Sequence, residues 1–188
     1  RANADQKRRY GEIAARGHKA LAALDKPLVA MIRGYCIGGG LAIALTADLR
    51  FATPDARFGI PAARLGLGYD YPGVAALARL VGPSCAKDML FSARQLDAEE
   101  ALRIGLINRI VEPTAIEATT REYVESVAEN APLTVATAKA ALKMFERYTD
   151  QAGAADIATL VDRCFDSNDY REGRRAFMEK RTPRFKGE

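Results

Sequence analysis

Three consecutive glycines, Gly38, Gly39 and Gly40, are the residues of this chain whose type and spacing could do chemistry. Pro27 and an apolar run of strand length, Leu28–Ile32, come first, then Gly34. Leu41–Ala47 follows the glycines, free of breakers and rich in helix formers. The pattern predicts strand, glycine turn, helix. Such a turn leaves bare backbone N–H groups at a helix N-terminus, where negative charge is stabilised. That charge could be a bound phosphate, or an oxyanion that exists only during a reaction. A dinucleotide fingerprint, G-x-G-x-x-G/A, is met by Gly38 and Gly40 but fails at Ile43, where a small residue must let helix and strand pack closely. A tight turn that serves the backbone alone is the plain alternative.

Other constellations fail quickly. The single histidine, His18, lies in a polar N-terminal helical stretch, so Ser-His-Asp or Cys-His chemistry is not supported, and His18 reads as a solvated surface residue. One histidine and three scattered cysteines, Cys36, Cys85 and Cys164, cannot build an ordinary zinc site, and no metal is expected. Cys36 lies near the glycines, but its Val/Ile/Leu surroundings favour a buried small apolar role over a nucleophile. There is no P-loop and no G-x-S-x-G.

The elements that must position the turn come from the rest of the 188 residues. That length suits one ordinary domain, with or without a small appendage. A content of 48% hydrophobic and 28% charged residues is that of a globular chain. The net charge of +4 suits an anionic ligand, but the basic residues are dispersed except near the C-terminus, which argues against nucleic acid. The unpaired cysteines favour a reducing, cytoplasmic compartment. No apolar run has membrane-spanning length, so no membrane partner is expected. The chain opens at Arg1, within a helical pattern, and is expected to begin inside a longer protein.

Asp5–Leu24 reads as an amphipathic helix with Ile13, Leu21 and Leu24 inward. Leu49–Ala52 is a short strand closed by the turn residues Thr53-Pro54-Asp55, and Arg57–Ile60 a second. Pro61–Tyr71 is a breaker-rich loop whose one acid is Asp70, flanked by Tyr69 and Tyr71. Helices are expected over Pro72–Leu80 and Ser84–Phe91, punctuated by Gly82-Pro83. Asp97 should cap a short helix that stops at Gly105, with a strand at Ile107–Val111. From Thr114 onward the pattern is helical, over about 115–130, 132–150, 153–166 and 170–180. Leu142, Met144, Phe145, Leu160, Val161, Phe165, Phe177 and Met178 need a covering, from this chain or from another copy.

The segments KPLVAMIRGYCIGGG, Asp48 before a strand, ARFGIPAARLGLG, LARLVGPSCAKDMLFSARQLDAEEALRIGLINRIV and YREGRRAFMEKRTPRF occur in order. From about Lys26 to the C-terminus the chain resembles the enoyl-CoA hydratase/isomerase (crotonase) family. The resemblance implies an α/β fold, a crotonase-like ββα superhelix whose N-terminal part is missing here, followed by a C-terminal helical trimerisation region. It places the α/β core at 1–112 and the trimerisation and CoA-capping helices at 113–188. It implies an acyl-CoA substrate, no cofactor beyond that coenzyme A, and a homotrimer or hexamer.

By the same resemblance the Gly39 N–H stabilises a thioester enolate oxygen, with a second donor in the missing N-terminal portion. Hydratases of the family carry one glutamate just after the glycines and another after F-G-x-P. Here those positions are Ala42 and Ala62. Asp70 falls where dienoyl-CoA isomerases and 4-chlorobenzoyl-CoA dehalogenases carry a working aspartate. A turn-ending or helix-capping aspartate is the alternative from the residues alone. Phe177 and Lys180 match the aromatic and lysine that reach CoA. Three readings follow: an acyl-CoA enzyme of isomerase or lyase type, a non-catalytic acyl-CoA-binding member, and a nucleotide-binding oxidoreductase.

Overall fold

The computed structural model describes residues 4–65, 69, 71–147, 163 and 166–188. The chain divides into two compact units. One joins residues up to Leu24 with Leu28–Thr120, and the other joins Asp25–Pro27 with Arg121–Glu188.

The first unit opens with helix α1, Ala4–Ala22. Its expected inward stripe is not covered throughout: Ile13 is 52% exposed and Leu24 42%. Periodicity decides which residues share a stripe and says nothing of what covers it. Strands β1, Val29–Ile32, and β2, Tyr35–Ile37, follow, then helix α2, Gly39–Ala44. Strand β3, Leu49–Ala52, and strand β4, Arg57–Gly59, repeat that order, followed by a 3₁₀ turn at Pro61–Leu65. Helix α3, Tyr71–Ser92, is broken at Gly82, where φ is 77° and ψ 157°. Helix α4, Ala98–Arg103, and strand β5, Arg109–Ile110, complete the series, and helix α5, Ile116–Ala128, begins in this unit and continues into the second.

Two parallel sheets result, one ordered β1-β3-β5 and one β2-β4. Val29 faces Leu49, twenty residues on, whereas Tyr35 faces Arg57, twenty-two residues on. The difference lies in the corners between sheets. Arg33-Gly34 turns the first, with Gly34 at φ 61°, and Thr53–Ala56 turns the second, closed by Ala56 N–H on Thr53 O at 3.0 Å. Hydrogen bonds carry the pairing through the bend: Thr53 N–H donates to Ile32 O at 3.0 Å and Arg57 N–H to Gly34 O at 2.9 Å. Strand–corner–strand followed by helix, repeated with parallel pairing, is the ββα winding that the sequence implied.

The core of this unit gathers Leu41, Phe58, Ile60, Leu77, Met89, Leu96, Leu106 and Ile107, each at most 2% exposed. Burying a side chain of this size contributes about 1.5–3 kcal/mol. Arg50 is also buried, and its charge is met by backbone oxygens: Nε donates to Leu106 O and Nη1 to Ala47 O, both at 2.7 Å. Its main-chain N–H donates to Asn108 Oδ1 at 2.8 Å, which ties β3 to the approach to β5.

In the second unit, helix α6 spans Pro132–Arg147 and helix α7 Asn168–Glu179. The end of the chain folds back to the start of α7. Lys186 N–H and Gly187 N–H both donate to the buried carboxylate of Asp169 at 2.7 Å. The Phe185 ring lies against Gly173, where an added Cβ would meet it at 3.4 Å. Most of the helix expected over 153–166 lies outside the described residues, as do Leu160, Val161, Cys164 and Phe165.

Candidate active site

The glycine turn is fixed from both sides. Gly38 is the N-cap of α2, with φ 56° and ψ −113°, a conformation open in practice only to glycine. Its N–H donates to Gly59 O at 2.8 Å, and its carbonyl accepts the first helical bond, from Ala42 N–H at 2.9 Å. No peptide bond in the described chain is cis. In a trans peptide the C=O and N–H of one unit point in opposite directions. The Gly38 carbonyl points into the helix, so the Gly39 N–H points back out of its N-terminus. Gly39 and Gly40 are exposed, and neither N–H has a hydrogen-bond partner among the described residues.

Around the turn the side chains are apolar. Leu41 and Ala44 form the buried side of α2, Ala42 is half-buried and Ile43 is 53% exposed. Ala62, at the start of the 3₁₀ turn, is buried within the same core cluster as Leu41 and Phe58. Neither the Ala42 nor the Ala62 side chain offers an atom that can hold water or a proton. Cys36, the central residue of β2, is buried, and burial pushes its thiol up to about 11. It therefore stays neutral near pH 7 and behaves as a small apolar residue.

Asp70 lies outside the described residues. Phe177 belongs to α7. Lys180 is exposed and stands one residue past that helix, with φ 53°. Arg181 N–H reaches back to Ala176 O at 3.1 Å, so Lys180 occupies the left-handed position of a helix-ending motif that ordinarily favours glycine. Among the described residues no three His, Cys, Asp or Glu side chains gather as a metal site, and no helix is long and apolar enough to cross a membrane.

Two features escaped sequence reasoning. Strand β2 is one: Tyr35-Cys36-Ile37 are good strand formers, masked by a glycine on each side. The other is Gly59, the last residue of β4, where a glycine in a strand signals close backbone approach. Arg94 O would lie 3.0 Å from a Cβ placed there.

The family model described as enoyl-CoA hydratase/isomerase matches residues 1–188. The chain belongs to the enoyl-CoA hydratase/isomerase family. Members of this family are enzymes of acyl-CoA thioesters. The chain is 35% identical over 179 residues to a short-chain-enoyl-CoA hydratase of Clostridium acetobutylicum, covering 95% of this chain and 69% of that protein. It is 38% identical over 162 residues to an (E)-benzylidenesuccinyl-CoA hydratase of Thauera aromatica, covering 86% of this chain and 63% of that one. Among solved structures, an enoyl-CoA hydratase/carnithine racemase from Magnetospirillum magneticum superposes with a TM-score of 0.89 at 34% identity, over 100% of this chain and 70% of that chain. The chain thus spans roughly two thirds of the length of these family members.

Proposed function

We propose that the protein stabilises the enolate of an acyl-CoA thioester at the Gly39 N–H, and that it moves a proton between carbons rather than adding water. The observation that carries this reading is the outward-pointing Gly39 N–H, without a partner among the described residues, together with alanine at positions 42 and 62. A thioester enolate concentrates negative charge on one oxygen. A preorganised backbone N–H is worth far more to that oxygen than to the ground-state carbonyl, which is the condition for catalysis. Hydration also needs groups that hold and polarise water, and Ala42 and Ala62 supply none. Proton shuttling needs one base, and we assign that role to Asp70, the single acid of the loop 61–71.

Phe177 and Lys180 are assigned to the coenzyme A moiety, whose phosphates suit a flexible cation. Self-association as a trimer or hexamer through the C-terminal helices completes the reading. The exposure of Leu142 (62%), Phe145 (79%) and Met178 (81%) supports it, because obligate interfaces resemble a core cut in half.

A second reading, acyl-CoA binding without turnover, is favoured by the same two alanines. A panel of crotonyl-, 3-enoyl-, dienoyl- and aryl-CoA thioesters separates the two. Turnover of a 3-enoyl or dienoyl thioester without hydration of crotonyl-CoA supports the enzyme. Saturable binding with no turnover of any thioester supports the binder.

A further inference from the structure

We infer that Gly59 and Arg94 are positioning residues that aim the Gly39 N–H, an inference that rests on the enolate reading above. The chain of contacts is continuous. The Gly59 carbonyl holds the Gly38 N–H at 2.8 Å, and the same Gly38 residue gives its carbonyl to Ala42 N–H. These two bonds fix the peptide plane that carries the Gly39 N–H. A rotation of that plane would swing the N–H away from a reacting oxygen without touching any side chain.

Gly59 is itself wedged. It ends β4, paired with Ile37 of β2, and its open side faces the Arg94 carbonyl. The segment bearing Arg94 runs antiparallel to β4: Phe58 N–H donates to Leu96 O at 3.0 Å and Leu96 N–H to Phe58 O at 2.8 Å. Arg94 pins that segment. Its guanidinium forks onto Glu100 at 2.7 and 2.8 Å, and its Nε donates to Asp88 Oδ2 at 2.9 Å. Those contacts hold the Glu100 carboxyl below the usual glutamate range, the Arg94 hydrogen bond being the chief cause. Ala93, directly before Arg94, has φ 51° and is buried, so this turn has little freedom to relax. Arg94 thus acts on the glycine turn through its own main chain, one strand away.

The test uses Gly59→Ala, whose Cβ would stand 3.0 Å from Arg94 O and press on that carbonyl, and Arg94→Gln, which removes the ion pairs and leaves the backbone unaltered. Ile116→Val, a core change remote from the turn in sequence, is the stability control. Two readouts are taken. The first is amide hydrogen exchange of the segment containing Gly38. The second is enolate formation from bound acetoacetyl-CoA, followed by its ultraviolet absorbance, with kcat and KM on any thioester turned over.

The expected result is faster exchange at Gly38 in both variants and a loss of enolate and kcat of about 10²-fold in Gly59→Ala, with KM within about twofold. Ile116→Val should lower the melting temperature and leave the enolate as in the wild type. Wild-type exchange at Gly38 or a wild-type enolate yield in folded Gly59→Ala overturns the inference. If the wild type forms no enolate while the variants still speed exchange at Gly38, the mechanical coupling stands and the enolate reading is what fails.

Discussion

Gly38 donates its N–H to the carbonyl of Gly59 at 2.8 Å, across the join between the first and second windings of the fold. That bond explains why three glycines in a row are not equivalent. Gly38 needs its left-handed φ of 56° for the bond to form, whereas Gly40 sits in the helix with nothing within 4 Å of where a Cβ would stand. Gly38→Ala is therefore expected to destabilise by about 1–3 kcal/mol. Gly40→Ala should be neutral or stabilising by up to about 1 kcal/mol. Denaturant unfolding of the two variants checks this, and equal losses would contradict it.

Lys180 carries two roles that one variant separates. Its φ of 53° is strained for a side-chain-bearing residue, so Lys180→Gly should stabilise by about 1 kcal/mol. The same change removes a cation assigned to coenzyme A. A higher melting temperature together with weaker binding of a CoA thioester is the expected pair of results. Unchanged binding would reduce Lys180 to a helix terminator.

Glu172 anchors the returning tail. It accepts from Arg181 Nη1 at 2.6 Å, from Arg175, and from Arg184 N–H at 3.1 Å, and these bonds, Arg181's first, hold its carboxyl well below the ordinary glutamate value. A depressed folded pKa contributes stability above the unfolded value, about 4.3, and that stability is lost as pH falls through the folded one. Glu172→Gln should therefore melt below the wild type at pH 7, with the gap closing in acid below pH about 4. A gap that widens on acidification would contradict the sign. Because its partners Arg175 and Arg181 reach solvent, salt should also shrink the gap.

Cys36 is the test of whether any thiol serves the site. Its burial, with a thiol pushed up to about 11, predicts that it resists thiol reagents in the folded protein at pH 8 and reacts only on unfolding. Cys36→Ala should retain thioester turnover and lose stability of about 1 kcal/mol or more from the cavity left beside Phe58. Rapid native-state labelling at Cys36 would reopen a nucleophilic role.

Much of the winding was legible in the sequence because each element carried a local signal. Leu49–Ala52 is bounded by Asp48 and the Thr53-Pro54-Asp55 turn, and the strand has those limits. Asp97 caps α4 as its position suggested, accepting from Glu100 N–H at 2.8 Å. Gly82 breaks α3 where punctuation was expected. What was not legible is long-range. Nothing local distinguishes Gly38, which needs its conformation, from Gly40, which does not. Arg94 reads as one more surface charge until Asp88 and Glu100 are found around it. The exposure of Ile13 likewise depends on what covers α1, which no periodicity encodes.

The central claim is that this chain makes an acyl-CoA enolate and lacks the means to hydrate. The most direct measurement is deuterium uptake at the thioester α-carbon in D₂O, followed by mass spectrometry, alongside hydration of crotonyl-CoA. The account predicts uptake by the wild type, a drop of about 10²–10⁴-fold in Asp70→Asn, and crotonyl-CoA hydration slow or absent. Fast hydration of crotonyl-CoA by the wild type, or no α-carbon exchange with any thioester it binds, would contradict it.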